Sequence, residues 1–181
     1  TILGGMVHEV YGGSNTRGNV RVESRTTLND ADDDDCTFNV GEAYGGGHNA
    51  PMDGDAVLEI LCIPGLAKAY GGAADADVNG NVVLNITNGT YEQVFGGNDK
   101  GGAIRGTITV NINETGCRPI IIGELYGGGN EAAYSVYGYA SDGTTLQAGD
   151  DGANSTPVRS PEVNVNSFTS IGTIFGGGYG A

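Results

Sequence analysis

Residues 82–97 read Val82-Val83-Leu84-Asn85-Ile86-Thr87-Asn88-Gly89-Thr90-Tyr91-Glu92-Gln93-Val94-Phe95-Gly96-Gly97, and their two halves recur along the chain. The first half sets Val82, Leu84 and Ile86 on one side of an extended backbone, the period-two pattern of a half-buried strand. The second half ends on an aromatic residue followed by glycines. That ending returns at Tyr11-Gly12-Gly13, Tyr44-Gly45-Gly46-Gly47, Tyr70-Gly71-Gly72, Tyr126-Gly127-Gly128-Gly129 and Phe175-Gly176-Gly177-Gly178. The six aromatics lie 33, 26, 25, 31 and 49 residues apart, so the shortest intervals give the unit and the longer ones the unit plus insertions.

Flanking positions keep the same phase. Four residues before the aromatics stand Val7, Val40, Leu66, Tyr91, Ile122 and Ile171, and one residue before stand Val10, Ala43, Ala69, Val94, Leu125 and Ile174. Upstream, alternating runs occur at Val20-Arg21-Val22, Val57-Leu58-Glu59-Ile60, Val82–Ile86, Ile108–Ile112 and Val163-Asn164-Val165. Ala76–Gly80 and Ala103–Gly106 read as a third, shorter strand before such a run. A repeat of this period predicts an all-β fold, a parallel β-solenoid (β-helix) of about 25 residues per coil and roughly five to six triangular coils, stacked about 4.8 Å apart. Residues 1–181 form one such domain, read as a segment of a longer repeat protein. The strands at Val57–Ile60, Val82–Ile86 and Ile108–Ile112 are expected side by side, parallel and in register. Tyr11, Tyr44, Tyr70, Phe95, Tyr126 and Phe175 are the structural repeat positions, their rings stacking between coils. The following glycines are expected at corners, where positive φ is cheap for glycine, and three in a row are also expected to let coils approach closely.

Composition agrees with a fold held by backbone pairing rather than bulk. Hydrophobic residues make up 38% and there are 34 glycines, against roughly 45–50% apolar in ordinary domains. The net charge is −14, with 22 acidic and only 8 basic residues. Too few cations are present to displace counterions from a phosphate backbone, so no nucleic-acid partner is expected. No apolar run reaches the roughly 18 residues of a span, so no membrane insertion is expected.

Insertions are read at 23–36, 113–119 and 130–160, where solenoids carry variable surface. The first holds the run Asp32-Asp33-Asp34-Asp35, whose carboxylates are either a solvated surface or a weak calcium site; the spacing is not that of an EF-hand. No other cofactor is expected. The 113–119 extension leaves the same corner as the acidic run, so the two are expected to approach one patch. His8 and His48 occupy different repeat positions and lack zinc-ligand spacing. Carboxylates are abundant, but no pectinase-like signature accompanies them, and the chain is read as not an enzyme. Cys36 and Cys62 both stand eight residues before a tyrosine, which makes a disulfide between them feasible. Cys117, nine residues before Tyr126, is placed two coils from Cys62 and expected not to bond it.

The unit, approximately Gly-x-Val-x-Val-x-Ile, a spacer, then Ile-x-x-Val-Tyr-Gly-Gly-Gly-Asn-x-Ala, resembles the glycine-rich YGGG repeats of adhesin-like parallel β-helix proteins on the surfaces of Bacteroidetes and some Firmicutes. Tyr126–Ala132 and Tyr44–Ala50 match best, Arg17 departs where Ala is expected, and 133–160 match nothing. The resemblance implies a bacterial extracellular or cell-surface setting and no catalytic residues. The function expected is a non-catalytic structural or adhesive surface module, with a host glycan or protein as ligand. Two alternatives stand beside it: a carbohydrate-binding or polysaccharide-degrading β-helix, and a filament subunit that associates end to end.

Overall fold

The computed structural model describes residues 1–30, 37–132 and 161–180. Eleven strands follow one another: β1 (Gly5–Tyr11), β2 (Ser24–Leu28), β3 (Phe38–Tyr44), β4 (Ala56–Ile60), β5 (Gly65–Tyr70), β6 (Val82–Ile86), β7 (Gly89–Phe95), β8 (Ile108–Asn113), β9 (Ile120–Tyr126), β10 (Glu162–Ser167) and β11 (Ser170–Phe175). Odd-numbered strands form one six-stranded sheet, β1-β3-β5-β7-β9-β11, and even-numbered strands a five-stranded sheet, β10-β8-β6-β4-β2. Every pairing is parallel. Leu58, Leu84 and Val110 face one another across β4, β6 and β8 in register, and Glu59, Asn85 and Asn111 follow in the next row.

The β-solenoid expectation is corrected by this arrangement. The strands are gathered into two parallel sheets of six and five strands, and among the described residues there is no helix and no third strand to close a triangular coil. The third run supplies only single-residue bridges, Val20 to Met52, Met52 to Val78 and Val78 to Ile104. Its apolar residue is followed two positions later by Gly54, Gly80 or Gly106, where a Cβ would lie 1.6, 2.4 or 2.3 Å from a neighbouring carbonyl oxygen. Such a run stitches a corner through single bridges.

A second correction concerns β2. The alternating run Val20–Val22 is not the partner of Val57–Ile60; Ser24–Leu28 is, with Leu28 opposite Ile60. The strand lies inside the stretch read as the 23–36 insertion. Its polar sequence hides it, since Leu28 is its one fully buried side chain.

The two sheets enclose one apolar layer. Leu28, Leu58, Ile60, Leu84, Ile86, Val110 and Ile112 from one sheet meet Val40, Leu66, Tyr91, Val94, Ile122 and Leu125 from the other, all buried. Met52, Val78, Ile104, Val82 and Ile108 fill a second cluster beneath the bridge segment. Burying side chains of this size stabilises by about 1.5–3 kcal/mol each. Of the two roles expected for the ring-following glycines, the structure shows close approach and not positive φ. None of Gly12, Gly45, Gly71, Gly96 and Gly127 has positive φ, but a Cβ on each would come 2.2–2.5 Å from the carbonyl oxygen of the equivalent glycine in the next repeat.

Candidate functional site

Each strand of the six-stranded sheet ends on one of the six repeat aromatics. In-register pairing therefore brings their rings together as a column: Tyr11, Tyr44, Tyr70, Phe95, Tyr126 and Phe175, with successive centroids 4.8, 4.6, 5.0, 4.9 and 4.9 Å apart and planes within 12°. The four inner rings are buried, Phe95 completely. They offer no open face to a sugar.

Position in the strand supplies the phenols with acceptors. Residues two apart share a face of a strand, so Glu9, Glu42 and Glu124 sit beside the tyrosines that follow them. Tyr11 donates to Glu9 Oε2 at 2.9 Å, Tyr44 to Glu42 Oε2 at 2.8 Å, and Tyr126 to Glu124 Oε2 at 3.0 Å. Where the ring is Phe, the same position holds Gln93 or Thr173. Tyr70, preceded by Lys68, lies instead under the influence of Asp99, whose Oδ2 also receives Tyr44 at 3.4 Å and whose Oδ1 receives Asn130 Nδ2 at 2.9 Å. The pattern Glu-x-Tyr against Gln-x-Phe and Thr-x-Phe is legible in the sequence, although the repeat alone did not single it out.

Burial, followed by the adjoining carboxylates, drives the Tyr11, Tyr44 and Tyr70 phenols far above their ordinary value. They remain neutral donors. Glu124 is held below its ordinary range by hydrogen bonds from Gln93 and Tyr126. Beside the column runs a polar groove of about 480 Å³, whose walls include Glu42, Lys68, Asp75, Asp99, Lys100 and Glu131. His48 sits at its edge, its Nδ1 3.0 Å from Asn15 Oδ1 and its ring 5.0 Å from that of Tyr11. His8, by contrast, is almost wholly exposed.

The outer face of the five-stranded sheet is polar. Asn164 Nδ2 donates to Asn111 Oδ1 at 3.0 Å, and Asn111 Nδ2 to Asn85 Oδ1 at 2.8 Å, while Arg25 pairs with Glu59 and Glu23. Thr27, not Arg25, is the β2 residue in the row of Glu59, Asn85, Asn111 and Asn164.

A second cluster lies at the corner joining the sheets. Cys62 and Cys117 form a disulfide, with Cα atoms 5.9 Å apart, which corrects both the expected separation of these residues and the Cys36–Cys62 alternative. The reason is loop length. Between β6 and β7 the connection is only Thr87-Asn88, whereas 61–64 and 114–119 on the flanking repeats are longer and meet over it. Asn88 is buried beneath them, donating to Thr115 Oγ1 at 2.9 Å and accepting from the Arg118 N–H at 2.7 Å. Arg118 lies 3.9 Å from Asp30, so the 113–119 extension and the start of the acidic run do share a patch. The proposed calcium ligands Asp32, Asp33, Asp34 and Asp35, together with Cys36 and the 133–160 part of the third insertion, fall outside the described residues.

No family model matches the chain, and no curated protein or solved structure matches it either.

Proposed function

We propose that the chain is a non-catalytic structural and adhesive module of an extracellular or bacterial cell-surface protein. The observation that carries this reading is the buried aromatic column with its phenols tied to carboxylates. Its tyrosines are neutral and its glutamates accept hydrogen bonds, so these groups stiffen a spine and leave no activated acid, base or nucleophile among themselves. Two further features support the reading. The Cys62–Cys117 bond suits an oxidising compartment, and the YGGG repeat resembles those of adhesin-like surface proteins. A host glycan or protein is the expected ligand.

Retention of protein-coated beads on mucin and matrix-protein surfaces under flow tests the adhesive part, with heat-unfolded protein as the control. Retention of the folded protein alone is expected; equal washing-off of both defeats adhesion. Release of reducing ends from a polysaccharide panel would defeat the non-catalytic part.

A further inference from the structure

Three of the column's rings form an uninterrupted run of oxidisable side chains. Tyr11, Tyr44 and Tyr70 stack at centroid distances of 4.8 and 4.6 Å, with planes 12° and 1° apart. Phe95 closes the run, because a ring without a hydroxyl is far harder to oxidise than a phenol. All three tyrosines line the polar groove, together with Glu9, Glu42, Asp99 and His48. A reagent in the groove therefore meets the phenols from the side of the stack, whatever lies above or below it.

A carboxylate stands beside each hydroxyl. Loss of one electron turns a phenol into a strong acid, and its proton passes to a base that lies within about 2.6–3.2 Å. Glu9 Oε2 is 2.9 Å from the Tyr11 hydroxyl, and Glu42 Oε2 is 2.8 Å from that of Tyr44. Asp99, buried itself, adjoins Tyr70 and also receives Tyr44 at 3.4 Å. Burial adds a second condition: the rings of Tyr44 and Tyr70 are only 3% and 1% exposed, so a radical formed on them is shielded from reagents that would consume it at a surface.

We infer that Tyr11, Tyr44 and Tyr70 form a tyrosyl-radical relay, which takes an oxidising equivalent from a one-electron oxidant in the groove and passes it between stacked rings. The oxidant belongs to the class that oxidises phenols, an oxygen-centred radical or a high-valent haem. In the first step an electron leaves Tyr11 for the oxidant, the O–H bond breaks and the proton goes to Glu9. A neutral phenoxyl radical and a carboxylic acid result. Tyr44 then gives an electron to Tyr11, which recovers its proton from Glu9 while the Tyr44 proton passes to Glu42. The same exchange moves the radical to Tyr70, with Asp99 as the proton acceptor. A one-electron reductant ends the sequence, and the proton returns from Asp99 to the phenol. None of this depends on the adhesive reading.

A photo-oxidant coordinated to His48 tests the relay. The His48 ring lies 5.0 Å from that of Tyr11, and His8→Gln removes the other histidine of the chain, so a ruthenium complex attaches at one place. Flash oxidation of the ruthenium in the folded 181-residue chain is followed by rapid-freeze electron paramagnetic resonance, with fluorotyrosine at position 70 alone so that a radical there carries a fluorine splitting. The fluorine-split radical is expected. Tyr44→Phe, which keeps the ring in the stack, should lower its yield by about tenfold or more at an unchanged unfolding midpoint. Glu9→Gln, which removes the base beside Tyr11, should slow the first oxidation by a similar factor. A radical that stays on Tyr11, transfer undiminished by Tyr44→Phe, or a first step as fast in Glu9→Gln as in its parent overturns the inference.

Discussion

The glycines after the rings make the most demanding claim, and Gly71→Ala tests it. A methyl at Gly71 would stand 2.3 Å from the Gly96 carbonyl oxygen and 2.8 Å from Val82 Cγ1. Relief requires the corner to move by about 1 Å, given that non-bonded carbon contacts settle near 3.5 Å. That movement strains the Gly71 N–H bond to the Phe95 carbonyl (2.9 Å) and the Gly72 N–H bond to the Gly97 carbonyl (3.1 Å). Overpacking costs about 1–3 kcal/mol and each weakened hydrogen bond about 1 kcal/mol, so the loss should be about 3–5 kcal/mol. For a chain of this size the thermal midpoint falls by about 6–20 °C. Gly176→Ala occupies the same phase with nothing above it, and neither glycine has positive φ; it should be neutral or stabilise by about 0.5 kcal/mol through the unfolded chain. Thermal unfolding followed by far-ultraviolet circular dichroism reads both variants. Equal midpoints for Gly71→Ala and Gly176→Ala would refute the close-approach argument.

Other expectations follow from the same geometry. Phe95→Ala, in the closed middle of the column, should lose about 3–5 kcal/mol, whereas Phe175→Ala at the open end should lose far less; urea unfolding separates them. Reduction of Cys62–Cys117, which spans 55 residues, should destabilise by about 4 kcal/mol on the chain-entropy model, and non-reducing peptide mapping should recover the two cysteines in one linked pair. Glu114 and Glu124 are held below their ordinary value of 4.5, Glu114 chiefly by the Ile120 N–H and Glu124 chiefly by Gln93. Their contribution to stability is therefore complete above that pH and is lost as pH falls below it through the folded values; a midpoint unchanged by acidification across that range contradicts the assignment. The phenols have the opposite sign. Because Tyr44 and Tyr70 are raised above 10, their stabilisation is present below pH 10 and lost above it, so near-ultraviolet phenolate absorbance should appear together with unfolding.

What the sequence displayed and what it hid have separate physical causes. Parallel, in-register pairing of β4, β6 and β8 was legible because Leu58, Leu84 and Val110 repeat in one phase and face one core. The aromatic positions were legible for the same reason. Sheet number was not: Asp77-Val78-Asn79 reads like a strand, yet Val78 makes only single bridges to Met52 and Ile104. Ser24–Leu28 was hidden because pairing with β4 does not demand apolar side chains on a strand that buries little more than Leu28. The disulfide escaped because counting back from the tyrosines assumes equal corners, and Thr87-Asn88 is shorter than its neighbours. Along the column, Glu9, Glu42 and Glu124 could have been paired with Tyr11, Tyr44 and Tyr126 from period-two geometry alone. Asp99 could not, since it reaches Tyr44 across 55 positions.

The central claim, two parallel sheets whose odd strands carry one aromatic column, is tested most directly by inter-strand nuclear Overhauser effects in uniformly labelled protein. Backbone contacts are expected between Leu58 and Leu84, Leu84 and Val110, Ala69 and Val94, and Val94 and Leu125, with ring contacts from Tyr44 to Tyr70 and from Phe95 to Tyr126. Antiparallel patterns, a register shifted by one residue, or rings of Tyr70 and Phe95 without mutual contact would contradict it.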